Sequence, residues 1–305
     1  MFFSICIPSY NRAATISRTL DSLVEQSFRD FEVLVVDDGS TDNTCEVVKK
    51  YDSLLNIKYF AKENGGKHTA LNVGIDQASG TFFIILDSDD WLMDDALEKV
   101  YRYCQLINEK GDYCGVMCRC LNSSNMQLIG EPFDKEPFIS SYIDFHFGSG
   151  SKRRYIDCFE ANRTAIMKEF HYPEPEGTRF VPESWLFDQI GMKYKLYCVN
   201  EAVEIKEYLA EGITNDWGHL RKNVIGYLCD YVSKIDDILP YIETSTKAKC
   251  MAWYKYWNAV KYDVNKKGNR VKKVTLIGGA MYAATPILNI ARNTLRAIRR
   301  MGIIR

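Results

Sequence analysis

Three carboxylates stand within four positions at Asp87-Ser88-Asp89-Asp90, directly after the apolar run Phe82-Phe83-Ile84-Ile85-Leu86. Five consecutive apolar residues bounded by turn formers describe a strand buried on both faces. Alternate residues of an extended chain point to the same side, so Asp87 and Asp89 leave the strand end together. Carboxylates held that close repel one another unless a cation sits between them, and a hard divalent ion with oxygen ligands supplies that charge. An Asp-rich turn leading into a helix N-terminus is the other explanation of the same residues. The elements around them have to decide.

Strand and helix patterns alternate four times in roughly the first 110 residues. Phe2 to Ile7 reads as a strand broken by Pro8-Ser9-Tyr10-Asn11, and Ile16, Leu20, Leu23 and Val24 make the apolar stripe of a helix. Val33 to Val36 is a second strand, ending at Asp37-Asp38-Gly39, and a short helix with Val47, Val48 and Tyr51 inward follows. Ile57 to Phe60 is a third strand, followed by Asn64-Gly65-Gly66-Lys67-His68 and a helix carrying Ala70, Leu71, Gly74 and Ile75. The fourth strand is the one that delivers the carboxylates. This rhythm predicts an α/β fold, a doubly wound and mostly parallel sheet with right-handed crossovers. Ligands of such sheets bind beyond the carboxyl ends of the strands, where Pro8-Tyr10, Asp37-Asp38 and Asp87-Asp90 all fall. The turn Ser9-Tyr10-Asn11-Arg12-Ala13-Ala14 has no glycine, so the dinucleotide fingerprint is absent, and no Walker-type loop occurs. A nucleotide bound at this edge would need a metal to neutralise its phosphates, and Asp87 to Asp90 offer the ligands.

Beyond Tyr113 the rhythm changes. Strand-like stretches at Tyr113 to Leu121 and Asp157 to Met167 flank a polar, aromatic-rich span with Pro132, Pro137 and Gly148-Ser149-Gly150, which predicts an antiparallel or mixed extension of the sheet. Glu183 to Ile190 reads as a short helix, Leu196 to Val199 and Val203 to Tyr208 as two short strands, and the chain after Gly212 as helical. The expected organisation is an α/β domain over 1–210, in halves 1–110 and 111–210, a helical extension over 211–263 and a basic amphipathic tail over 264–305.

The 305 residues are 46% hydrophobic and 26% charged, with a net charge of −1. That balance hides an asymmetry. Residues 264–305 hold no Asp or Glu but carry Lys266, Lys267, Arg270, Lys272, Lys273, Arg292, Arg296, Arg299, Arg300 and Arg305, which leaves 29 basic against all 40 acidic residues in the remainder. A basic tail on an acidic body points to an anionic surface. Thr285 and Pro286 read as the start of a helix with Ile287, Ile290, Ala291, Thr294, Leu295 and Ile298 on one face and arginines on another. Such a helix suits an anionic membrane surface, or it docks back on the domain. Met1 to Ile7 lacks the form of a secretory leader, so the ten cysteines read as reduced, buried thiols; Cys114, Cys118 and Cys120 fit no common zinc spacing. The expected location is cytoplasmic, peripheral on the inner face of the membrane, with no nucleic acid as partner.

Four motifs in order and spacing resemble the family 2 glycosyltransferases of the GT-A fold: Ile7-Pro8-Ser9-Tyr10-Asn11-Arg12, Val35-Val36-Asp37-Asp38-Gly39-Ser40-Thr41-Asp42, Asn64-Gly65-Gly66-Lys67-His68 with Ala70-Leu71-Asn72, and Leu86-Asp87-Ser88-Asp89-Asp90-Trp91. The resemblance is dense over the first hundred residues and thin to about Tyr208. It implies inverting transfer of a sugar from a nucleotide-diphosphate donor to an acceptor hydroxyl, on a lipid-linked or polysaccharide acceptor in cell-surface glycan assembly, with Mg²⁺ or Mn²⁺ as cofactor. It further implies that Pro8, Ser9 and Tyr10 line the base pocket, Asp38 hydrogen-bonds the base, Asp87 meets the ribose, and Asp89, with Asp90, holds the metal. Lys67 and Ser88 fall within the donor-binding motifs. Relatives carry Glu-Asp at the start of a later helix; here that place reads Pro182-Glu183-Ser184-Trp185, so Glu183 is the carboxylate left to accept the acceptor's proton. Local explanations stand beside these roles: Asp38 as a turn cap before Gly39, Lys67 and His68 as a solvated helix start, Glu183 as a first-turn acid. A sugar-nucleotide nucleotidylyltransferase would need a glycine-rich, basic first loop, which Ser9-Tyr10-Asn11 is not. A non-catalytic nucleotide-sugar or glycan-binding module is favoured by the acid missing at Ser184.

Overall fold

The computed structural model describes residues 1–148, 157–208 and 218–300. Its centre is one mixed sheet. Strands β1 (Phe3–Ser9), β2 (Phe31–Asp37), β3 (Ile57–Ala61) and β4 (Phe82–Ile85) are mutually parallel in the order β3-β2-β1-β4. Their side chains alternate between two cores, as the period of a strand requires. Phe3, Ile5, Ile7, Val33 and Val35 face helices α1 (Ile16–Val24) and α4 (Ala96–Ile107), while Cys6, Leu34 and Val36 face α3 (Lys67–Gln77). Between β2 and β3 lies α2 (Thr44–Lys49).

The sheet then continues through antiparallel neighbours. β8 (Cys158–Arg163) pairs antiparallel with both β4 and β6 (Tyr113–Asn122), and β6 runs parallel to β9 (Lys195–Lys206). The short strands β5 (Trp91–Leu92) and β7 (Phe138–Ser140) both pair antiparallel with β9. The doubly wound sheet with an antiparallel extension is therefore found. The two strands expected between Leu196 and Tyr208 are one, however. Asn200 interrupts the apolar pattern without ending the strand, because its side chain exchanges hydrogen bonds with the backbone of Phe133 (2.7 and 3.0 Å), and the pairing with β6 absorbs the irregularity as register shifts. The stretch expected as a strand through Met167 turns after Arg163 into the short helix α6 (Thr164–Met167). Two more helices, α5 (Tyr142–Phe147) and α7 (Ser184–Gly191), pack Tyr142, Phe145, Leu186, Phe187 and Ile190 into the core beneath α3.

The C-terminal helices α8 (His219–Lys222), α9 (Val224–Ser233), α10 (Thr246–Val260) and α11 (Leu276–Arg300) enclose a separate cluster of Leu228, Tyr231, Ile238, Trp253, Tyr256 and Ala259, joined by Phe147 of α5. Here the start of the tail helix is corrected. Thr285 is not its cap: α11 begins nine residues earlier, with the Thr275 hydroxyl accepting from the Gly278 N–H (3.1 Å), and Thr285 Oγ1 donates back to the Met281 carbonyl (2.6 Å). Pro286 lies inside the helix, tolerated because α10 holds the preceding turns. Trp257 Nε1 donates to the Gly278 carbonyl (2.9 Å), the Trp253 ring covers Gly278, and Tyr254 bonds Asn289 (2.9 Å). The inner face of the tail thus docks on the protein. Among the described residues no helix is long and apolar enough to cross a membrane. The side chains of Arg292, Leu295, Arg296, Ile298, Arg299 and Arg300, the residue Arg305, and Ser149-Gly150 lie outside the described residues. All ten cysteines are unbonded, with Cys114, Cys118 and Cys120 buried in β6.

Candidate active site

The carboxyl ends of β1, β2 and β4 open into a cavity of about 780 Å³. It is lined by every residue to which the resemblance gives a donor, metal or catalytic role: Pro8, Ser9, Tyr10, Asp38, Lys67, Asp87, Ser88, Asp89, Asp90 and Glu183. Short-range hydrogen bonds fasten the loops that carry them. Asn11 N–H donates to Ser40 Oγ (2.8 Å) and Asn11 Oδ1 accepts from Thr41 N–H (2.8 Å), locking the first loop to the second. Asp38, 4% exposed, accepts from Lys62 Nζ (2.8 Å) and from the N–H groups of Gly65 (2.9 Å) and Gly66 (2.7 Å). Its carboxylate stitches the second loop to the third and keeps one acceptor site unused, on Oδ2. Gly66 has φ +98°, and a Cβ there would meet the Arg179 carbonyl at 1.9 Å. Only glycine lets the third loop lie against the chain that leads into α7.

That close approach brings together residues 116 positions apart. Lys67 Nζ sits 2.5 Å from Asp87 Oδ1 and 2.7 Å from Glu183 Oε1. Lys67 is therefore no solvated helix start, and His68 beside it is buried at 2% exposure, where burial lowers its pKa. Burial works against the charge on Lys67, but Asp87 and Glu183 outweigh it and raise its pKa; burial likewise opposes ionisation of Asp87, and Lys67 wins. Glu183 occupies the N-cap position of α7 without making a cap hydrogen bond, its carboxylate being turned to Lys67 instead. The neighbouring Ser184 hydroxyl joins a buried cluster, accepting from Lys234 Nζ (2.8 Å) and donating to Asp230 (3.2 Å).

The three acids of the β4 exit differ in their partners. Asp90, 4% exposed, accepts from the Glu207 N–H (2.8 Å) and from Lys206 Nζ (3.1 Å). Burial pushes its pKa up to about 7, against the pull of Lys206. Asp89 has a cation, Arg12, only at 4.0 Å, and burial followed by the charge of Asp87 raises its pKa. Asp89 is thus the under-compensated carboxylate facing the cavity. Among the described residues no three His, Cys, Asp or Glu side chains converge on one point. The donor set still fits Mg²⁺ or Mn²⁺, since such ions bind one or two carboxylates and complete their shell with substrate phosphates and water. Asp89 with the Oδ2 of Asp87, whose Oδ1 pairs with Lys67, meets that requirement; Asp90 already accepts on both oxygens.

Residues 4–170 match the model of the family described as glycosyl transferase family 2. The chain belongs to that family. Over 102 residues it is 42% identical to the poly(ribitol-phosphate) beta-N-acetylglucosaminyltransferase TarS of Staphylococcus aureus, a match covering 32% of this chain and 18% of that protein. Over 96 residues it is 45% identical to the hyaluronan synthase of Pasteurella multocida, covering 31% and 10%. Over 100 residues it is 35% identical to the glycosyltransferase GlyA of Streptococcus pneumoniae, covering 32% and 14%. The matches thus span under a fifth of the length of these curated relatives. Among solved structures, S. aureus TarS 1-349 in complex with UDP-GlcNAc aligns with a TM-score of 0.62 at 20% identity, covering 93% of this chain and 79% of that one. The mannosyltransferase PcManGT of Pyrobaculum calidifontis, with GDP-Man and Mn²⁺, aligns at 0.56 and 18% identity, covering 94% and 80%. The likeness to these structures is one of fold.

Several cavity residues escaped the motifs. Glu160 projects from β8 into the cavity, and His146, Arg179 and Lys206 line it from α5, the loop before α7 and the end of β9. Glu160 left one trace in the sequence, a lone acid inside the apolar run Cys158-Phe159-Glu160-Ala161.

Proposed function

We propose that this chain is a metal-dependent glycosyltransferase that moves a sugar, with inversion, from a nucleoside-diphosphate donor to an acceptor hydroxyl. The observation that carries this reading is the meeting of Asp87, Lys67 and Glu183 beside Asp89 in one cavity at the strand ends. The fold shared with proteins solved in complex with UDP-GlcNAc and GDP-Man supports it. Pro8, Ser9 and Tyr10 form the wall for the base, and the acceptor site left on Asp38 takes one N–H from it. Asp87 and Ser88 border the ribose. A Mg²⁺ or Mn²⁺ ion held by Asp89, with Asp87 beside it, would supply Lewis-acid stabilisation of the charge growing on the departing diphosphate. Glu183 accepts the proton of the acceptor hydroxyl while that oxygen bonds to C1 from the face opposite the diphosphate. The bond from C1 to the diphosphate oxygen breaks with its electron pair on that oxygen. Lys67 orients Glu183 through its 2.7 Å contact with Oε1.

The outer face of α11 bears on where the acceptor lies. Leu276, Ala280, Ala283, Ile287, Ile290 and Thr294 recur at steps of four and three, and all are exposed. Such a stripe could pair with a second copy, but a segment with ten basic and no acidic residues would set like charges together. An anionic bilayer surface complements both the stripe and the charge. Peripheral attachment there suits a lipid-linked or surface-polysaccharide acceptor.

The test is release of nucleoside diphosphate from a panel of nucleotide sugars, with Mn²⁺ and with chelator, and with Asp89→Ala as control. Release that chelator and Asp89→Ala both abolish, with circular dichroism unchanged, is the expected result. Donor binding without any release would make the chain a binding module instead.

A further inference from the structure

A side pocket of about 70 Å³ opens off the main cavity. Its volume is that of about two water molecules at roughly 30 Å³ each, room for a substituent of a few heavy atoms. Met117, Tyr142, Phe145 and Phe187 make its walls apolar, and His146 and Glu160 stand where it joins the cavity. These two groups are of opposite kind. His146 Nδ1 lies 2.5 Å from Oδ1 of Asp188, which is 1% exposed. The Nδ1–H donates to that buried carboxylate, which fixes the tautomer and leaves Nε2 to offer a lone pair. No hydrogen bond or ion pair joins the Glu160 carboxyl to another described residue. Burial, opposed by Lys206 but reinforced by Glu204, Glu183 and Asp157, raises its pKa well above the usual range, which favours the protonated form that can donate.

The position of the pocket along the cavity is set by the sheet. Ala161 pairs with Ile84, which places Glu160 across from Ile85, two residues before Asp87. Glu183 is close enough to act on Glu160 electrostatically. On the reading proposed above, diphosphate lies toward Asp87 and Asp89 and the base is Glu183, so the pocket opens beside the stretch of donor that joins them, C1 and its neighbour C2.

We propose that this pocket selects a donor sugar carrying a 2-acetamido group: His146 Nε2 accepts its amide N–H, Glu160 donates to its carbonyl, and its methyl fills the aromatic end. An amide presents a donor and an acceptor side by side with a methyl beyond them, matching the three features of the pocket. A bare 2-hydroxyl leaves the apolar end without contacts and one rim group unpaired.

The experiment compares UDP-GlcNAc with UDP-glucose, UDP-GalNAc with UDP-galactose, and GDP-mannose, each with Mn²⁺, by release of nucleoside diphosphate and by calorimetric titration. The acetamido member of at least one pair should be favoured by at least about tenfold in kcat/KM. Glu160→Ala should collapse that ratio toward one, and Glu160→Gln, which still donates, should keep most of it. Equal kcat/KM for both members of each pair, or a preference for GDP-mannose, overturns this inference and leaves the glycosyltransferase reading intact. Failure of every nucleotide sugar to bind overturns both.

Discussion

Replacing Lys67 by Met perturbs the site at its junction. The Nζ contacts of 2.5 Å to Asp87 and 2.7 Å to Glu183 put the two carboxylates no more than about 5 Å apart. At that separation, with an effective dielectric of about 20, their mutual repulsion is about 3 kcal/mol. The three side chains are 25%, 34% and 37% exposed, so solvent screening brings the expected loss of stability down to ~1–2 kcal/mol. Methionine preserves the apolar stem, which confines the change to charge. Freed from Lys67, Glu183 swings from its place, and a displacement on the order of 1 Å costs about 10²-fold in rate. Urea unfolding gives the first quantity and steady-state release of nucleoside diphosphate the second, while Lys67→Arg should recover most of the stability by keeping the charge. A Lys67→Met protein with wild-type kcat and donor KM would refute the role assigned to this contact.

Glu183→Gln keeps shape and loses basicity, so it should bind donor normally and lose about 10²–10⁴-fold in kcat; a matching loss of donor affinity would make Glu183 a binding residue. Glu32, fully buried in β2, accepts from Ser4 Oγ (2.6 Å), Lys58 Nζ (2.8 Å) and Ser79 N–H (2.8 Å). Burial opposes its charge, but these bonds prevail and lower its pKa from 4.5 to about 2. A lowered carboxyl pKa means stability that is present above the unfolded value and lost as pH falls through the folded one, on the order of 3 kcal/mol between about pH 5 and 2. Urea midpoints of Glu32→Gln should lack that acid slope, and slopes identical to wild type would contradict the assignment. Ile287→Asp with Ile290→Asp should abolish sedimentation with phosphatidylcholine–phosphatidylglycerol vesicles without changing the oligomeric state of the protein. Undiminished sedimentation, or a dimer in the unaltered protein that the two changes dissolve, would remove the membrane from the account.

The parallel half of the fold was legible because its signals are local. Val33 to Val36 and Phe82 to Ile85 are apolar runs, and each ends in polar residues that the sheet necessarily gathers at one edge. Contacts across the sequence left no such signal. That Lys67 would bridge Asp87 and Glu183 depends on Gly66 lying against Arg179, a packing event with no periodicity to announce it. Glu160 and His146 were hidden for the same reason, one an acid in a strand, the other on a six-residue helix. At the tail, a local rule misled: Thr285-Pro286 has the form of a helix start, but the tryptophans of α10 secure the turns before it. Asp38 showed both its sides, a loop-stitching carboxylate that still borders the cavity.

On the proposed function, one cavity holds a nucleoside-diphosphate sugar between Asp87–Asp89 and Glu183. A structure of the protein with a turned-over nucleotide sugar and Mn²⁺ tests this most directly. The base should lie against Pro8 to Tyr10 and Asp38, the diphosphate and ion at Asp89, and C1 should face Glu183. A donor seated elsewhere, or with Asp89 and Glu183 both turned away from it, would contradict the proposed function.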